Sequence, residues 1–358
     1  MTNQFDFGFD DAPEPTQPQV TKTKAKPSSK PVASASTAVQ APAEVKPEAT
    51  TALPLENDLE ACAAKLEAHP DYRVLRRLHP QLNFDRQPQG PTQRVVLLDT
   101  ETTGLDQSKE KIIELAMVVV DVCTVTGLPC GPVTVFDEFD DPGKPISSEI
   151  EQLTGISNDM VKGQRLNEAR IAELLEGVDM VVAHNAGFDR PFVEARVSGF
   201  ETLPWACSVS DIDWKAAGQS SAKLEILALR LGWFYDAHRA EADCHALLKV
   251  LCSEPIEGQG TGLARLITAA SQIAYRLQAT GAPFETKDLL KARGYRWNNE
   301  QRVWGTRLSG EDALQTELAW LQTNVYKGRN ARVQVETLKA HTLYSSRSGE
   351  LESRMVEG

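Results

Sequence analysis

The sequence predicts an α/β domain built on a mixed β-sheet flanked by helices, preceded by a disordered tail and followed by a small α+β module. Three observations carry this reading. Strand-like apolar runs at 94–99, 112–122 and 133–139 follow one another without a long helical pattern between them. Shorter runs at 179–183 and 203–209 then alternate with helical patterns near 187–198, 221–232 and 240–252. Consecutive strands followed by strand and helix alternation give one sheet with both antiparallel and parallel pairs. Finally, a chain of 358 residues is long enough for one large core and a smaller second one.

Taken in order, residues 1–55 are rich in Pro, Ala, Thr, Lys and Ser and carry too little apolar surface to offset the entropy of ordering. This is the expected disordered tail. Its tip, residues 4–9, begins at Gln4 and sets Phe5, Phe7 and Phe9 among acids, the pattern of a short peptide that docks in an apolar pocket on a partner. From 56 to 90 the apolar positions Leu59, Cys62 and Leu66, then Tyr72, Leu75 and Leu78, predict two short helices split by His69 and Pro70. The domain carrying the strands is expected over 91–254. A Pro/Gly-rich break at 253–262 separates it from the module expected over 262–345. That module opens on a helical pattern at 263–278, then a helix from Pro283 stopped by Gly294. A hairpin follows, from Tyr295, Arg296 and Trp297 to Arg302, Val303 and Trp304, then a helix at 310–323 and a strand at 332–338. Its interleaved Arg and Trp suit either base stacking or the filling of a small core.

The net charge of -12 is unevenly spread: -2 over residues 1–90, -14 over 91–260 and +4 over 261–358. An acidic centre either repels phosphates or recruits divalent cations that bridge to them, while a basic end can hold a polyanion nearby. Cys62, Cys123, Cys130, Cys207, Cys244 and Cys252 show neither paired nor metal-ligand spacing, so reduced packing cysteines are expected. The sequence shows neither a secretory leader nor a membrane span, which makes the cytoplasm the default location.

Three acidic stations stand out. At the first, the run Val95, Val96, Leu97 and Leu98 ends on Asp99 and Glu101, with Thr100, Thr102, Thr103, Gly104 and Leu105 around them. Alternate strand residues share a face, so the two carboxylates point together and repel unless a cation lies between them. The second runs from His184 and Asn185 through Phe188 and Asp189, where a strand ends and the first turn of a helix favours an acid. The third runs from His238 through Ala240 to Asp243, opening a helix whose Leu247, Leu248 and Leu251 form a buried stripe. Each station alone reads as an ordinary turn or helix cap.

Together, in this order, they resemble the DnaQ-like 3'–5' exonucleases of the DEDD superfamily. Their motifs are an acidic D-x-E after a strand, an H-N-x-x-F-D and an H-x-A-x-x-D. The segment from Ile150 to Ile156 also resembles the stretch between the family's first two motifs. The His five residues before Asp243, with Arg239 where the tyrosine subclass has its Tyr, places the resemblance in the histidine subclass, as in the DNA polymerase III epsilon proofreading subunits. The resemblance implies a ribonuclease H-like fold and two divalent ions, Mg²⁺ or Mn²⁺, held by Asp99, Glu101, Asp189 and Asp243. By it, Asp99 is shared between the ions, Glu101 and Asp243 serve the one that carries water, Asp189 holds the other, and His238 is the general base, an imidazole changing charge near neutral pH. Thr102, Thr103, Leu105 and Phe188 are expected to line the terminal nucleotide. The tip at 4–9 faintly resembles bacterial sliding-clamp-binding peptides, which makes a clamp or polymerase the expected partner. The activity implied is metal-dependent hydrolysis at DNA 3' ends, in proofreading or repair. An exoribonuclease is the enzymatic alternative, and a non-catalytic nucleic-acid or polymerase-binding subunit the alternative from another class.

Overall fold

The structure, a computed structural model, describes residues 56–356. The expected disordered tail and the docking peptide at 4–9 lie outside the described residues. Residues up to Val74 form one unit, in which the helix α1 spans Glu56–Glu67. The second unit begins at Leu75. The helix expected around Tyr72 to Leu78 is not there. Instead β1 (Arg76–Arg77) pairs in parallel with a short strand at Trp233–Phe234, since three apolar positions interrupted by Arg73, Arg76 and Arg77 fit an edge better than a helical stripe.

A six-stranded sheet follows. Its first members are β2 (Asn83–Phe84), β3 (Thr92–Thr102), β4 (Ile112–Cys123) and β5 (Leu128–Phe139). Then come the helices α2 (Ser148–Thr154), α3 (Asn158–Val161) and α4 (Glu168–Leu175), and the strand β6 (Met180–Ala183). The helix α5 (Ala186–Arg196) leads to β7 (Trp205–Cys207), α6 (Leu224–Arg230), β8 (Trp233–Phe234) and α7 (Ala240–Leu251). The order across the sheet is β2-β5-β4-β3-β6-β7, antiparallel up to β3 and parallel from β3 through β6 to β7. This is the mixed sheet with flanking helices that the sequence predicts.

The central strand β4 is an almost unbroken apolar run because helices cover both faces. On one face Val95, Leu97, Ala116 and Val118 meet Leu227 of α6 and Cys244, Leu247 and Leu251 of α7. On the other, Val96, Leu98, Leu115 and Met117 meet Ile171 of α4, Phe192 and Val193 of α5, and Trp205. Each large side chain buried here contributes about 1.5–3 kcal/mol. The strand β3 runs past the expected end at residue 99 as far as Thr102, with an irregularity in its pairing between Glu101 and Thr102. Asp99 and Glu101 therefore continue the row of Val95 and Leu97, and point to the face covered by α7.

The C-terminal module is a second sheet. The pattern expected as one helix over 263–278 divides into α8 (Gly262–Ala270) and β9 (Ala274–Ala279). Its second half alternates Tyr275, Leu277 and Ala279 inward with Arg276 and Gln278 outward, a period of two that belongs to a strand. Leu263 and Leu266 of α8 pack in the core of the first sheet, so this helix is part of the larger domain. The helix α9 (Lys287–Ala292), β10 (Arg296–Asn298), β11 (Val303–Ser309), α10 (Glu311–Asn324), β12 (Ala331–Leu338) and β13 (Glu350–Val356) complete the module, past the expected end at 345. The antiparallel order is β10-β11-β9-β12-β13, and the hairpin expected around Arg302 is β10 and β11. Leu290 of α9 with Leu314, Leu318 and Leu321 of α10 cover one face of this sheet.

The module is fastened to the larger domain at α5. Arg190, fully buried, donates to the carbonyls of Leu343 (2.6 Å) and His341 (2.6 Å) while its Nε bonds Glu194 (2.7 Å). Arg307 of β11 and the Tyr344 hydroxyl converge on Asp211, at 2.7 and 2.6 Å. All six cysteines are free thiols. Among the described residues no helix is long and apolar enough to cross a membrane.

Candidate active site

Two elements bring the first and third acidic stations together. The strand β3 presents Asp99 and Glu101 on one face, where Asp99 sits opposite the small Ala116 and Glu101 opposite Glu114. The helix α7 lays its first turn over that face. Carboxylate oxygens of Asp99, Glu101 and Asp243 lie within 4.8 Å of one another, and all three side chains are half-buried. Hard oxygen donors in such a group suit a divalent cation, and their repulsion without one shows in their acidity. Burial, and then the charges of Asp189, Asp243 and Glu101, hold the Asp99 carboxyl well above the usual range. Burial, and then Asp243 and Glu114, push Glu101 up to about 8.

Asp189 arrives from the opposite face. It lies in the first turn of α5, almost wholly buried, and its Oδ1 accepts from the backbone N–H (3.1 Å) and hydroxyl (2.8 Å) of Thr100. Burial raises its carboxyl to about 7, against the downward pull of the Thr100 bonds. It is not within the 4.8 Å group, yet its charge acts on Asp99 more strongly than that of any other acid. Asn185, in a left-handed conformation at φ 76°, turns the chain from β6 into this helix. Pro191 cannot donate to the Gly187 carbonyl four residues back, and that carbonyl instead accepts from the Gln107 side chain at 3.2 Å.

Asp243 is held on both oxygens. Its Oδ1 accepts from the Tyr235 hydroxyl at 2.8 Å, and its Oδ2 from the backbone N–H groups of His238 (2.9 Å) and Arg239 (3.2 Å). Burial raises its pKa and these three bonds oppose the rise. His238 sits exposed just before α7 in the left-handed region, at φ 65°, a conformation the Asp243 side chain secures from within the helix.

The expected lining residues divide. Thr102 is buried and donates to the Gly104 carbonyl at 2.8 Å, whereas Thr103 donates to Glu110 at 2.5 Å, so both hydroxyls fix the turn after β3. Leu105 is 73% exposed, which removes core packing as its role. Phe188 is half-buried against Phe192, with ring centroids 5.1 Å apart.

Sequence reasoning passed over Tyr235, Thr100 and the pair of Glu114 with Arg239. Glu114 is fully buried; its Oε1 accepts from two guanidinium N–H groups of Arg239, at 2.7 and 3.0 Å, and its Oε2 from the first N–H of α7, Ala240, at 2.9 Å. An acid between Ile113 and Leu115 in the apolar run of β4 is the signal that points to it, because a buried carboxylate requires a partner. The pair pins the start of α7 to the sheet and with it the loop of His238. We expect Glu114→Ala to lower stability by about 2–3 kcal/mol, below the ~3–5 of a fully buried pair because the Arg239 side chain is 40% exposed and rehydrates. Thermal denaturation of this variant beside Glu114→Gln, which retains an acceptor for Ala240, tests the account; equal and negligible losses in both would refute it.

Residues 96–251 match the RNase_T family, described as an exonuclease. The chain is 38% identical over 162 residues to the 3'-5' exonuclease DinG of Bacillus subtilis (strain 168), covering 42% of this chain and 16% of that protein. It is 29% identical over 165 residues to the DNA polymerase III subunit epsilon of Treponema pallidum (strain Nichols), covering 42% of this chain and 72% of the relative. A solved structure of Exonuclease X in complex with 5' overhanging duplex DNA aligns with a TM-score of 0.35 at 24% identity, covering 48% of this chain and 99% of that one. The chain thus spans about a sixth of the length of DinG. The segment 96–251, which carries most of β3, the strands β4 to β7 and all three acidic stations, is thus similar to the RNase_T exonuclease family.

Proposed function

We propose that the chain is a metal-dependent 3'–5' exonuclease of the histidine subclass that removes nucleotides from DNA 3' ends. The observation that carries this is the convergence of Asp99, Glu101 and Asp243 from β3 and α7, with Asp189 brought close by Thr100. Four carboxylates raised in pKa by burial, three of them also by their acidic neighbours, form a donor set suited to Mg²⁺ or Mn²⁺. Two such ions, when bound, would offset charge on the phosphodiester and activate water.

The chain's own residues do the rest. Asp99 feels the charges of both the α7 and the α5 carboxylates and is the acid that would serve both ions. Tyr235, with the N–H groups of His238 and Arg239, keeps the Asp243 carboxylate in one orientation. The His238 imidazole accepts a proton from the attacking water, and its exposed position lets it pass that proton to solvent. Leu105, exposed beside the acids, and Phe188 offer apolar surface to the terminal base. The match to a polymerase III epsilon subunit supports a role beside a replicative polymerase, and the segment at 4–9 is the part of the chain proposed to dock on a polymerase or sliding clamp. The test is incubation with DNA and RNA oligonucleotides labelled at the 5' end, with Mg²⁺, Mn²⁺ or chelator. A ladder shortened one nucleotide at a time from the 3' end of DNA, absent with chelator, is expected. Cleavage in chelator, internal cuts, or a preference for RNA would each refute a part of the reading.

A further inference from the structure

The sheet of the C-terminal module has one face covered by its helices and the other covered at one end only, where Ala274, Leu338 and Arg307 meet Leu343, Tyr344 and Asp211. Tyr275, Leu277 and Ala279 of β9, Trp304 and Leu308 of β11, and Val333 and Val335 of β12 point into the core beneath α9 and α10. By alternation their neighbours point the other way. Across that other face the register aligns Arg296, Gly305, Gln278, Gln334 and Ser353 in one row, with Arg332 and Met355 in the next and Arg307, Arg276, Glu336 and Leu351 in the row towards the larger domain. Arg296, Arg332, Ser353, Met355 and Leu351 are exposed, and no helix of the module lies over them. Trp297 pairs in register with Trp304 on the covered side, with ring centroids 5.6 Å apart. The tryptophans therefore belong to the covered face, and the basic side chains to the open one.

Charge divides the open face itself into a paired end and an unpaired one. Arg276 is paired with Glu336 at 2.6 Å and Arg307 with Asp211 at 2.7 Å. Arg296 and Arg332 have no carboxylate partner among the described residues, and Lys327 and Arg329 beside Arg332 line a groove of about 810 Å³ with it. An open row of amides and guanidinium groups, bordered by exposed Leu351 and Met355, complements a strand of phosphates whose bases are unstacked. Five strands about 4.8 Å apart make a platform roughly 19 Å across, wide enough for several nucleotides. The acidic domain next to it repels the same polyanion, so the substrate needs holding elsewhere. Arg307 and Arg190 lock the module to Asp211 and to α5, the helix that carries Asp189, which fixes the platform relative to the acids.

We propose that this open face is a second nucleic-acid site, which holds a single-stranded stretch of the polynucleotide whose 3' end the acids cleave. The site rests on the exonuclease reading for the identity of its ligand. Its test uses the full chain. The charge-reversed variant Arg296→Glu with Arg332→Glu, and the neutral variant Gly305→Leu, are compared with the parent. A Cβ at Gly305 meets nothing closer than 3.6 Å, and its backbone is not left-handed, so a side chain there covers the platform without straining the fold. Fluorescence anisotropy of labelled 20-nucleotide DNA, RNA and duplex in chelator reads binding without cleavage. The thymidine 5'-monophosphate p-nitrophenyl ester, too short to reach the platform, reads the catalytic centre with Mn²⁺.

The charge-reversed variant is expected to bind single strands at least tenfold more weakly, with the salt dependence reduced by about 1.4 in log–log slope for two lost phosphate contacts. Gly305→Leu is expected to weaken binding severalfold, and ester hydrolysis to stay within twofold of the parent in both. Unchanged single-strand affinity in both variants overturns the proposal, as does equal loss on the ester and the strand, or a parent that binds only duplex. A parent that binds in this pattern and hydrolyses neither ester nor DNA supports the platform and refutes the exonuclease reading instead.

Discussion

Asp99→Ala is expected to abolish release of nucleotides from a 3' end while leaving the fold intact. Asp99 lies in the 4.8 Å group with Glu101 and Asp243, and the charge of Asp189 acts on it more strongly than that of any other acid. Its loss removes the acid proposed to serve both ions, and a rate loss of at least about 10³-fold follows if each loses a ligand. Stability should move the other way. Glu101, at about 8, and Asp189, at about 7, are raised above the ordinary carboxylate range, so between roughly pH 4.5 and 8 the folded metal-free protein binds more protons than the unfolded chain. Its stability therefore falls as pH rises through that window. Removing one repelling carboxylate relieves part of this, and the variant in chelator at pH 8 should melt no lower than the parent. Mg²⁺ should raise the melting temperature of the parent and do little for Asp99→Ala. A variant that retains activity, or one that Mg²⁺ stabilises as much as the parent, would sink the assignment.

The parts of this site that the sequence displayed are those in which a single local rule decides position. Alternation along β3 places Asp99 and Glu101 on one face whatever the rest of the chain does, and the first turn of α7 places Asp243. The parts it concealed depend on contacts between distant segments. Thr100 meets Asp189 across 89 residues of chain, and Glu114 meets Arg239 across 125. Neither Thr100 nor Tyr235 has a pattern of its own. The same reason accounts for the module. Residues 274–279 show a strand's alternation, yet they follow helical α8 after only a short turn, and the strand exists because β11 and β12 flank it on both sides. The strand β13 is more hidden still, since its exposed Glu350, Leu351, Glu352 and Ser353 lack a buried stripe and it is held by pairing with β12 at the sheet edge.

His238→Ala should slow turnover by about 10²- to 10⁴-fold at saturating Mg²⁺, the usual contribution of a positioned base. The backbone complicates the experiment and also supplies its control. At φ 65° His238 occupies the left-handed region, which Ala enters at a cost of about 1–2 kcal/mol and Asn enters readily. His238→Asn therefore keeps the loop, and with it the N–H that binds Asp243, while removing the imidazole. If the imidazole accepts the proton, both variants lose the same rate and Mn²⁺ affinity measured by calorimetry stays near that of the parent. Added imidazole should restore part of the rate, because the exposed loop leaves room for it. Full activity in His238→Asn with loss only in His238→Ala would show that the residue acts through its backbone, as a support for Asp243, and that the base lies elsewhere.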